Sequence, residues 1–509
     1  MSKAKEHLEQ KQKEREDKLL ERVRSGKAVR VIYKGKDKKP ALPNRKYSYE
    51  SPKEEMADRQ EKVEKAAILY RQMLPGLLKK LGRIEDPRQP VKIKHKITVL
   101  MVYGILLFVC QTGSRRKANK ELTGKIFFDN VKAMFPELES LPHADTLARL
   151  LERIDVDEIQ NCLVELLRDL MCRKKFKNHL INKRYLIAVD GTQKFFRGYQ
   201  WEPEALKRHV GGEARIPQYY VYALESVLVL DNGIVLPVIT EILENKDWVE
   251  GETKQDCERK AFRRLAPKLC KIFGKGNVTL VADGLYACGP VIKKCREYGW
   301  DYMITLKEDG LPDVWKEATG LMRLEPANSM CVKWGDRNQD YLWANEIEYE
   351  HGPNMRYKEL LNVVICYETW TEDHTRSTGV PEEKRTRYAW ISSRPLTKKN
   401  VFMRCTCMAR YRWKLENNIL IEKHEGYYFE HCYSYDWQAM KGFHYLMKAG
   451  HFLNMMATNS DILLEYVDES GIRGFIAGLK LALSGAVLDL ESISMVVKTK
   501  HIWKLKTAS

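Results

Sequence analysis

Three carboxylates are placed in the sequence where they could act together in catalysis. Asp190 and Asp283 each follow a short apolar run of the kind typical of a buried strand. Glu416 lies within a helix predicted over 398–425. Carboxylates at the ends of neighbouring strands of an α/β sheet point into a common crevice, where ligands tend to bind. Taken singly, each Asp-Gly pair would more simply be a turn after a strand.

A shared site of this kind would need a cation, because three nearby carboxylates repel one another. Carboxylate oxygens are hard ligands, and they select Mg²⁺ or Mn²⁺. Two such ions about 4 Å apart clamp the attacking and leaving oxygens in a phosphoryl transfer. The pattern therefore predicts metal-dependent phosphoryl transfer, with Asp190, Asp283 and Glu416 as catalytic residues and as metal ligands.

Two basic residues share the predicted helix with Glu416. Arg412 lies four residues before it, and Lys423 lies on the same helix face as Arg412, eleven residues further on. In this position the two cations would hold phosphates on either side of a cut, with Glu416 between them. The alternative is an ordinary surface ion pair at i, i+4, which needs no function.

Together these residues resemble the DDE transposases of bacterial insertion sequences, the cut-and-paste group with a ribonuclease-H-like core. That group carries a Tyr-x₂-Arg-x₃-Glu-x₆-Lys signature, which this chain matches at Arg412, Glu416 and Lys423. This chain departs from the signature at the tyrosine position, where it has Ala409. Tyr411, two residues further on, could take the place of that tyrosine only with a different geometry. The resemblance covers roughly residues 86–454, with a β-rich insertion between the second and third acidic residues.

The resemblance implies an activity and its partners. A metal-activated water nicks one strand at the transposon end, and the freed 3′-hydroxyl then attacks DNA. Two Mg²⁺ ions (Mn²⁺ in vitro), double-stranded DNA at transposon ends and target, and a homodimer on DNA are implied, in the bacterial cytoplasm and associated with the nucleoid. DNA-binding roles are implied for Arg412, Lys423, Tyr411, Tyr388 and Trp390.

The two aromatic residues in that set lie on one strand predicted over 388–392. In the resembled group, an aromatic residue before the Glu helix stacks on a flipped base, which is worth about 1–3 kcal/mol. Tyr388 and Trp390 face the same side of the strand because side chains alternate with a period of two. Trp390 could equally be a buried core residue.

The elements that must position these residues predict an α/β fold. The strands 185–189 and 278–282 carry the aspartates, and an Asn232-Gly233 turn between 219–230 and 234–242 predicts a β-hairpin. Helices are predicted for 252–273 and 290–298. Further helices are predicted for 66–81, 97–110, 145–154 (with Asp145 as its N-cap) and 158–170.

The predicted fold is a ribonuclease-H-like catalytic core with a β-rich insertion, flanked by N- and C-terminal helical regions. The predicted boundaries are a basic flexible arm at 1–60, a helical DNA-binding domain at 61–180, the core in two parts at 181–309 and 386–455, the insertion at 310–385 and a C-terminal helical region at 456–509.

Composition favours an anionic partner. The 509 residues include 87 Lys and Arg against 69 Asp and Glu, a formal net charge of +18. This balance favours nucleic acid over a membrane surface. The longest apolar run, 97–110, is too short to span a bilayer, and the charged residues 1–6 predict no secretory signal.

The 12 cysteines are scattered through the chain, which favours free thiols in a reducing compartment. A candidate zinc site would be formed by Cys405, Cys407, His424, His431 and Cys432. Its ligand pairs lack the spacing usual for structural zinc, which disfavours it.

Two other functions compete with transposition. A domesticated protein would bind DNA without cutting it, but it would have no need of three mutually repelling carboxylates. A stand-alone ribonuclease-H-like nuclease would share the metals without needing paired ends. The basic arm and the helical flanks favour transposition over such a nuclease.

Overall fold

The computed structural model describes residues 49–245, 255–372 and 382–507, with the segment Val31–Tyr33 and six single positions before it. Most of the arm predicted over 1–60 therefore lies outside the described residues. Its last part is helical, since helix α1 spans Pro52–Leu81. The helix begins there because Ser51 accepts a hydrogen bond from the Glu54 amide (3.2 Å) and proline is favourable in a first turn.

The region 61–180, predicted as a helical DNA-binding domain, is mainly helical in the structure. After α1 come α2 (Ile97–Val109), α3 (Arg115–Glu121), α4 (Lys125–Met134), α5 (Ala144–Leu151) and α6 (Asp157–Cys172). The predicted N-cap Asp145 is wrong. His143 caps α5 instead, because its ring nitrogen accepts from the Asp145 amide (3.3 Å).

The last helices of the chain pack on the first ones. They are α12 (Trp437–Thr458), α13 (Leu464–Gly485) and α14 (Leu490–Lys498). Helix α12 lies against α1 and α2. Asn454 of α12 accepts from the Tyr70 hydroxyl of α1 (2.6 Å) and donates to the Val109 carbonyl of α2 (3.2 Å). Asn130 of α4 donates to the carbonyls of Leu483 and Ala486 at the end of α13. None of the helices in the described ranges is long and apolar enough to cross a membrane.

Among the described residues, eleven strands form one mixed sheet, so the α/β class is confirmed. They are β1 (Val31–Tyr33), β2 (Tyr185–Arg197), β3 (Leu206–Val210), β4 (Ile216–Val229), β5 (Val235–Ile242), β6 (Val278–Ala282), β7 (Asp301–Thr305), β8 (Ser329–Trp334), β9 (Arg337–His351), β10 (Tyr357–Glu372) and β11 (Glu382–Ser392). The order is β1-β8-β9-β10-β11-β7-β6-β2-β4-β3, with β5 also paired to β4.

The centre of this sheet joins two kinds of pairing. Strands β2, β6 and β7 are parallel neighbours, whereas β4 is antiparallel to β2 and to β5. The pairing of β4 with β5 confirms the predicted hairpin. Helix α7 (Glu258–Phe273) connects β5 to β6, and α8 (Gly289–Glu297) connects β6 to β7. The helix predicted over 252–273 thus begins at Glu258, and 252–254 lies outside the described residues.

The region 310–385 contains a helix, α9 (Pro312–Leu324), as well as strands β8 to β10. These strands are continuous with the central sheet, because β11 pairs with β10 on one side and with β7 on the other. Strand β11 extends beyond the predicted 388–392 and crosses the boundary predicted at 385.

The single helix predicted over 398–425 is wrong. The structure has α10 (Val401–Thr406), a 3₁₀ turn (Ala409–Arg412) and α11 (Trp413–His424). The chain bends at Met408, which is fully buried and has a φ of −125°, outside the helical range. The bend lets Arg410 pair with the buried carboxylate of Glu368 on β10.

Candidate active site

Two neighbouring strands bring Asp190 and Asp283 together. In the parallel ladder of β2 and β6, Val189 of β2 is paired with Ala282 of β6. Asp190 and Asp283 are the residues that directly follow this pair. Asp283 follows β6 directly, as predicted. Asp190 does not end its strand, because β2 continues to Arg197 by pairing with the antiparallel strand β4.

Arg412 links the strand aspartate to Glu416. One guanidinium nitrogen of Arg412 lies 3.0 Å from Asp190 Oδ2 and 2.6 Å from Glu416 Oε1. The i, i+4 ion pair is therefore present, but it is also joined to a residue 222 positions away in sequence. Arg412, at the end of the 3₁₀ turn, therefore lies between Asp190 of β2 and Glu416 in the first turn of α11.

The other two carboxylates act electrostatically on Asp190. Burial raises the pKa of Asp190 to about 6, with the negative charges of Asp283 and Glu416 acting in the same direction and Arg412 opposing them. Asp283 also accepts a hydrogen bond from the Leu285 amide (2.9 Å), which fixes its carboxylate at the strand end.

The three side chains carry carboxylate oxygens, the ligand type that a hard divalent ion prefers. Within the described ranges, however, no three His, Cys, Asp or Glu side chains are arranged to share a metal ion, neither the three carboxylates as they stand nor the zinc ligands considered above. Asp190 and Glu416 instead share the positive guanidinium. A Mg²⁺ ion bound by the three carboxylates would take the place of that group.

The other two residues of the signature region are placed differently. Lys423 lies two turns after Glu416 on α11, and its ammonium pairs with Glu430 (2.9 Å). Tyr411 packs into the apolar cluster beneath α11, and the Lys414 ammonium lies 5.0 Å from its ring. Burial raises the pKa of Tyr411, with smaller contributions from Cys407 and Asp231. The structure therefore does not bring Tyr411 to the carboxylates.

A cavity of about 540 Å³ adjoins Arg412, and we call it the aromatic cavity. Tyr388 and Trp390 of β11 line it with their rings stacked, 5.7 Å apart at 20°. Trp390 is only 4% exposed, so it is at once a core residue and part of the cavity wall. The cavity is also lined by residues that the sequence interpretation did not single out, namely Trp315, Arg387, Arg410 and Trp413.

Sequence reasoning also missed Glu258, the first residue of α7. Its carboxylate accepts hydrogen bonds from the hydroxyls of Tyr222 (3.0 Å) and Tyr286 (2.9 Å). It lies against Gly191, where a Cβ would come within 2.5 Å of its carboxyl carbon. A fourth carboxylate therefore borders Asp190, and no spacing rule in the sequence would have indicated it.

Comparison with known proteins gives one family match. Residues 78–167, from the end of α1 into α6, match the family model described as DDE_Tnp_1-associated, a region found in DDE-type transposases. No curated protein matches the chain. The matched region lies in the helical part, ahead of all three carboxylates, so it bears on the family and not on the site. The match covers 90 of 509 residues, and it supports the resemblance of this chain to DDE transposases of the insertion-sequence type.

Proposed function

We propose that this protein binds the ends of a transposable DNA element and carries out metal-dependent strand cleavage and strand transfer. The observation that carries the proposal is the Arg412 guanidinium between Asp190 and Glu416, with Asp283 at the neighbouring strand end. An ordinary structural ion pair would not need the additional negative charge of Asp283 at the same strand edge.

The central strands support a ribonuclease-H-like core. Across the sheet, the antiparallel strands β5, β4 and β2 are followed by β6 and β7, which are parallel to β2. Along the chain, helix α7 lies between β5 and β6, and helix α8 between β6 and β7. The aspartates lie where the two parallel partners β2 and β6 stop pairing. This is the position that the resemblance to DDE transposases implies for the first two acidic residues.

Each residue of the candidate site would have a distinct role in the reaction. Bound Mg²⁺ would activate water and stabilise the charge that develops on the phosphate. Asp190 and Asp283 would hold the ions from rigid strands, and Glu416 from α11. Once released from the carboxylates, Arg412 would hold a phosphate beside the cut. Lys423 would hold another after leaving Glu430, at small cost, because exposed ion pairs contribute less than about 1 kcal/mol.

The aromatic cavity would receive an unstacked base next to the cut strand. Tyr388 and Trp390 offer ring faces, and Trp413 meets Tyr388 edge-on at 5.3 Å. The Arg410 guanidinium lies 4.9 Å from the Tyr388 ring and adds positive charge beside the base. Stacking on such residues contributes about 1–3 kcal/mol per base, which would offset the cost of removing it from the duplex.

Cut-and-paste transposition requires that two ends be held together, so we expect a homodimer on DNA. The net charge of +18 supports a polyanionic partner of this kind.

The test is cleavage of a DNA fragment that carries the flanks of the gene, with Mn²⁺, by the wild type and by the Asp190→Asn and Asp283→Asn variants. We expect the wild type to leave a 3′-hydroxyl at a flank boundary. Both variants should bind the fragment within about twofold of the wild type but cut at least about 100-fold more slowly.

Each alternative function predicts a different result. Tight binding without cleavage by any of the three proteins would indicate a DNA-binding protein that does not cut. Cleavage without boundary preference or joining to a second DNA would indicate a nuclease. Undiminished cleavage by both variants would contradict the proposed site.

A further inference from the structure

A groove on the helical part of the molecule collects positive charge away from the candidate active site. It has a volume of about 690 Å³ and lies between the segment 87–95 and one face of α5. We call it the basic groove. Its basic lining residues are Arg88, Lys92, Lys94, His95, Arg149 and Arg153. No aspartate or glutamate is among the residues that line it.

Four of these charges are available to a ligand. Arg88 is bonded to Asp86 (2.6 Å), but Lys92, Lys94, Arg149 and Arg153 form no ion pair within the described part of the chain. All four side chains belong to exposed residues. Exposed cations without carboxylate partners produce a local positive potential, and such a potential attracts polyanions.

Arg149 and Arg153 are held on a rigid support. Leu147, Leu150 and Leu151 are completely buried, so α5 has a fixed apolar side. Arg149 lies on the opposite, exposed side of α5. Arg153 lies two residues past the end of α5, where its amide donates to the Leu150 carbonyl (3.0 Å) and so holds it to the helix end.

The facing segment is braced by its own hydrogen bonds. Arg88 donates to the carbonyl of His95 (3.0 Å), which closes the segment into a loop. The His95 ring nitrogen bonds to the Ser140 hydroxyl (2.7 Å), and Lys96 pairs with Glu139 (2.6 Å). The loop is therefore tied at its C-terminal end to the chain just before α5, and its lysines face the groove from a defined position.

The ionisation of His95 is consistent with a positive groove. Burial lowers the pKa of His95, and the neighbouring charges of Arg88 and Lys94 lower it further. His95 is therefore a neutral hydrogen-bonding group at neutral pH, and the positive charge of the groove comes from lysine and arginine.

From this arrangement we infer that the basic groove binds the phosphate backbone of double-stranded DNA, at a surface separate from the candidate active site. The inference rests on the proposed function, which supplies DNA as the partner, and it adds where the helical part would hold it. All six basic lining residues lie within the region 78–167 that matches the family model.

The chemistry of the lining favours duplex backbone over other nucleic-acid targets. No Phe, Tyr or Trp lines the groove, so it offers no stacking platform of the kind that single strands require. Lysine and arginine contacts to phosphates fix the register of a protein on DNA without reading its sequence. The groove would therefore position the DNA, and it would contribute affinity that depends strongly on salt.

The experiment compares the full-length Arg149→Gln/Arg153→Gln double variant with the wild type. The control is Arg168→Gln/Arg173→Gln, which removes two exposed arginines at α6, outside the groove. The probe is a labelled 30-base-pair duplex of random sequence, and its dissociation constant is measured by fluorescence anisotropy at several salt concentrations. Thermal unfolding confirms that each variant is folded.

Counterion release gives the expected size of the effect. Each lost phosphate contact lowers the slope of log K against log salt by about 0.9, so the groove variant should lose about 1.8 and bind on the order of 50-fold more weakly at 0.1 M salt. The control should remain within about threefold of the wild type. An Arg149→Lys/Arg153→Lys variant, which keeps both charges, should retain the wild-type slope.

Equal binding by the groove variant and the control would overturn the inference while leaving the proposed function intact. Failure of the wild type itself to bind duplex DNA would contradict the proposed function. If the groove variant lost affinity for polyglutamate but not for the duplex, the groove would be a site for an acidic protein, and the inference would again be wrong.

Discussion

At the scale of single residues, the candidate site is organised by a cation shared between carboxylates. Arg412 contacts both Asp190 and Glu416, while the pKa of Asp190 is raised to about 6 by burial and by its acidic neighbours. Such a cluster of negative charge is stable only with positive charge inside it. We infer that Arg412 and a divalent ion compete for the same carboxylate oxygens.

This competition predicts opposite effects of two substitutions on Mn²⁺ binding, which can be followed by electron paramagnetic resonance of the free ion. Arg412→Gln removes the competing charge, so we expect Mn²⁺ to bind about tenfold more tightly, a change of about 1.4 kcal/mol. Asp190→Asn removes a ligand and should weaken Mn²⁺ binding. Weaker binding by Arg412→Gln would show that Arg412 orients the carboxylates and does not compete for them.

The sequence indicated the three candidate carboxylates but not their contacts. Asp190, Asp283 and Glu416 could be selected because each stands at a recognisable place on a strand or helix. The bond from Arg412 to Asp190 joins residues 222 positions apart, and the approach of Glu258 to Gly191 depends on how α7 packs on β4 and β5. Contacts of this kind, between residues far apart in the chain, leave no signal in the local sequence.

At the scale of elements, α11 carries Glu416 at its start and is anchored near its end. The Glu422 carboxylate is completely buried and contacts Lys448 Nζ (2.7 Å) and the His451 ring nitrogen (2.7 Å), both on α12. Lys448 also contacts Glu225 of β4 (3.0 Å), which is paired in register with Asp190. This buried network of charges connects α11, α12 and the central sheet.

Removing one partner from the network should therefore destabilise the fold. We expect Glu422→Gln to lower the free energy of unfolding by about 3 kcal/mol, because it leaves buried positive charge incompletely paired. The matched control is Glu430→Gln, which breaks the exposed pair with Lys423 and should cost less than about 1 kcal/mol. Urea unfolding measures both, and equal losses would show that the buried pair does not hold α11.

Local patterns predicted the regular elements well and the bend before α11 badly. Strand β6 and the hairpin of β4 and β5 were predictable because apolar runs and an Asn-Gly turn are local signals. The interruption at Met408 could not be predicted in this way, because residues 398–425 contain neither a proline nor a glycine that would indicate a break in the helix. Burial of Met408 and the pairing of Arg410 with Glu368 override the helical pattern there.

At the scale of the whole molecule, regions that the sequence presents as separate are physically joined. The insertion continues the central sheet through β11, and the C-terminal helices pack on the N-terminal ones through Asn454 and Asn130. Composition and periodicity could indicate that each region exists. They could not indicate which regions share a core, because that depends on contacts between distant segments.

This joining places the two surfaces that we propose for DNA binding on one body of the protein, the candidate active site on the sheet and the basic groove on the helices. Transposition requires that the enzyme hold an end and cut it at a fixed distance. A chain whose helical part and sheet share buried contacts is suited to that task. In one such contact, the Gln160 side chain of α6 donates to the Thr240 carbonyl of β5 and accepts from the Thr240 amide.

The most direct test of the proposed active site is the rate of Mn²⁺-dependent cleavage at the flank boundary by Glu416→Gln, beside Glu425→Gln from the other end of α11. We expect Glu416→Gln to lose at least about 100-fold in rate while its DNA affinity stays unchanged, and Glu425→Gln to cut like the wild type. Cleavage by Glu416→Gln at the wild-type rate would contradict the assignment of these three carboxylates as the catalytic centre.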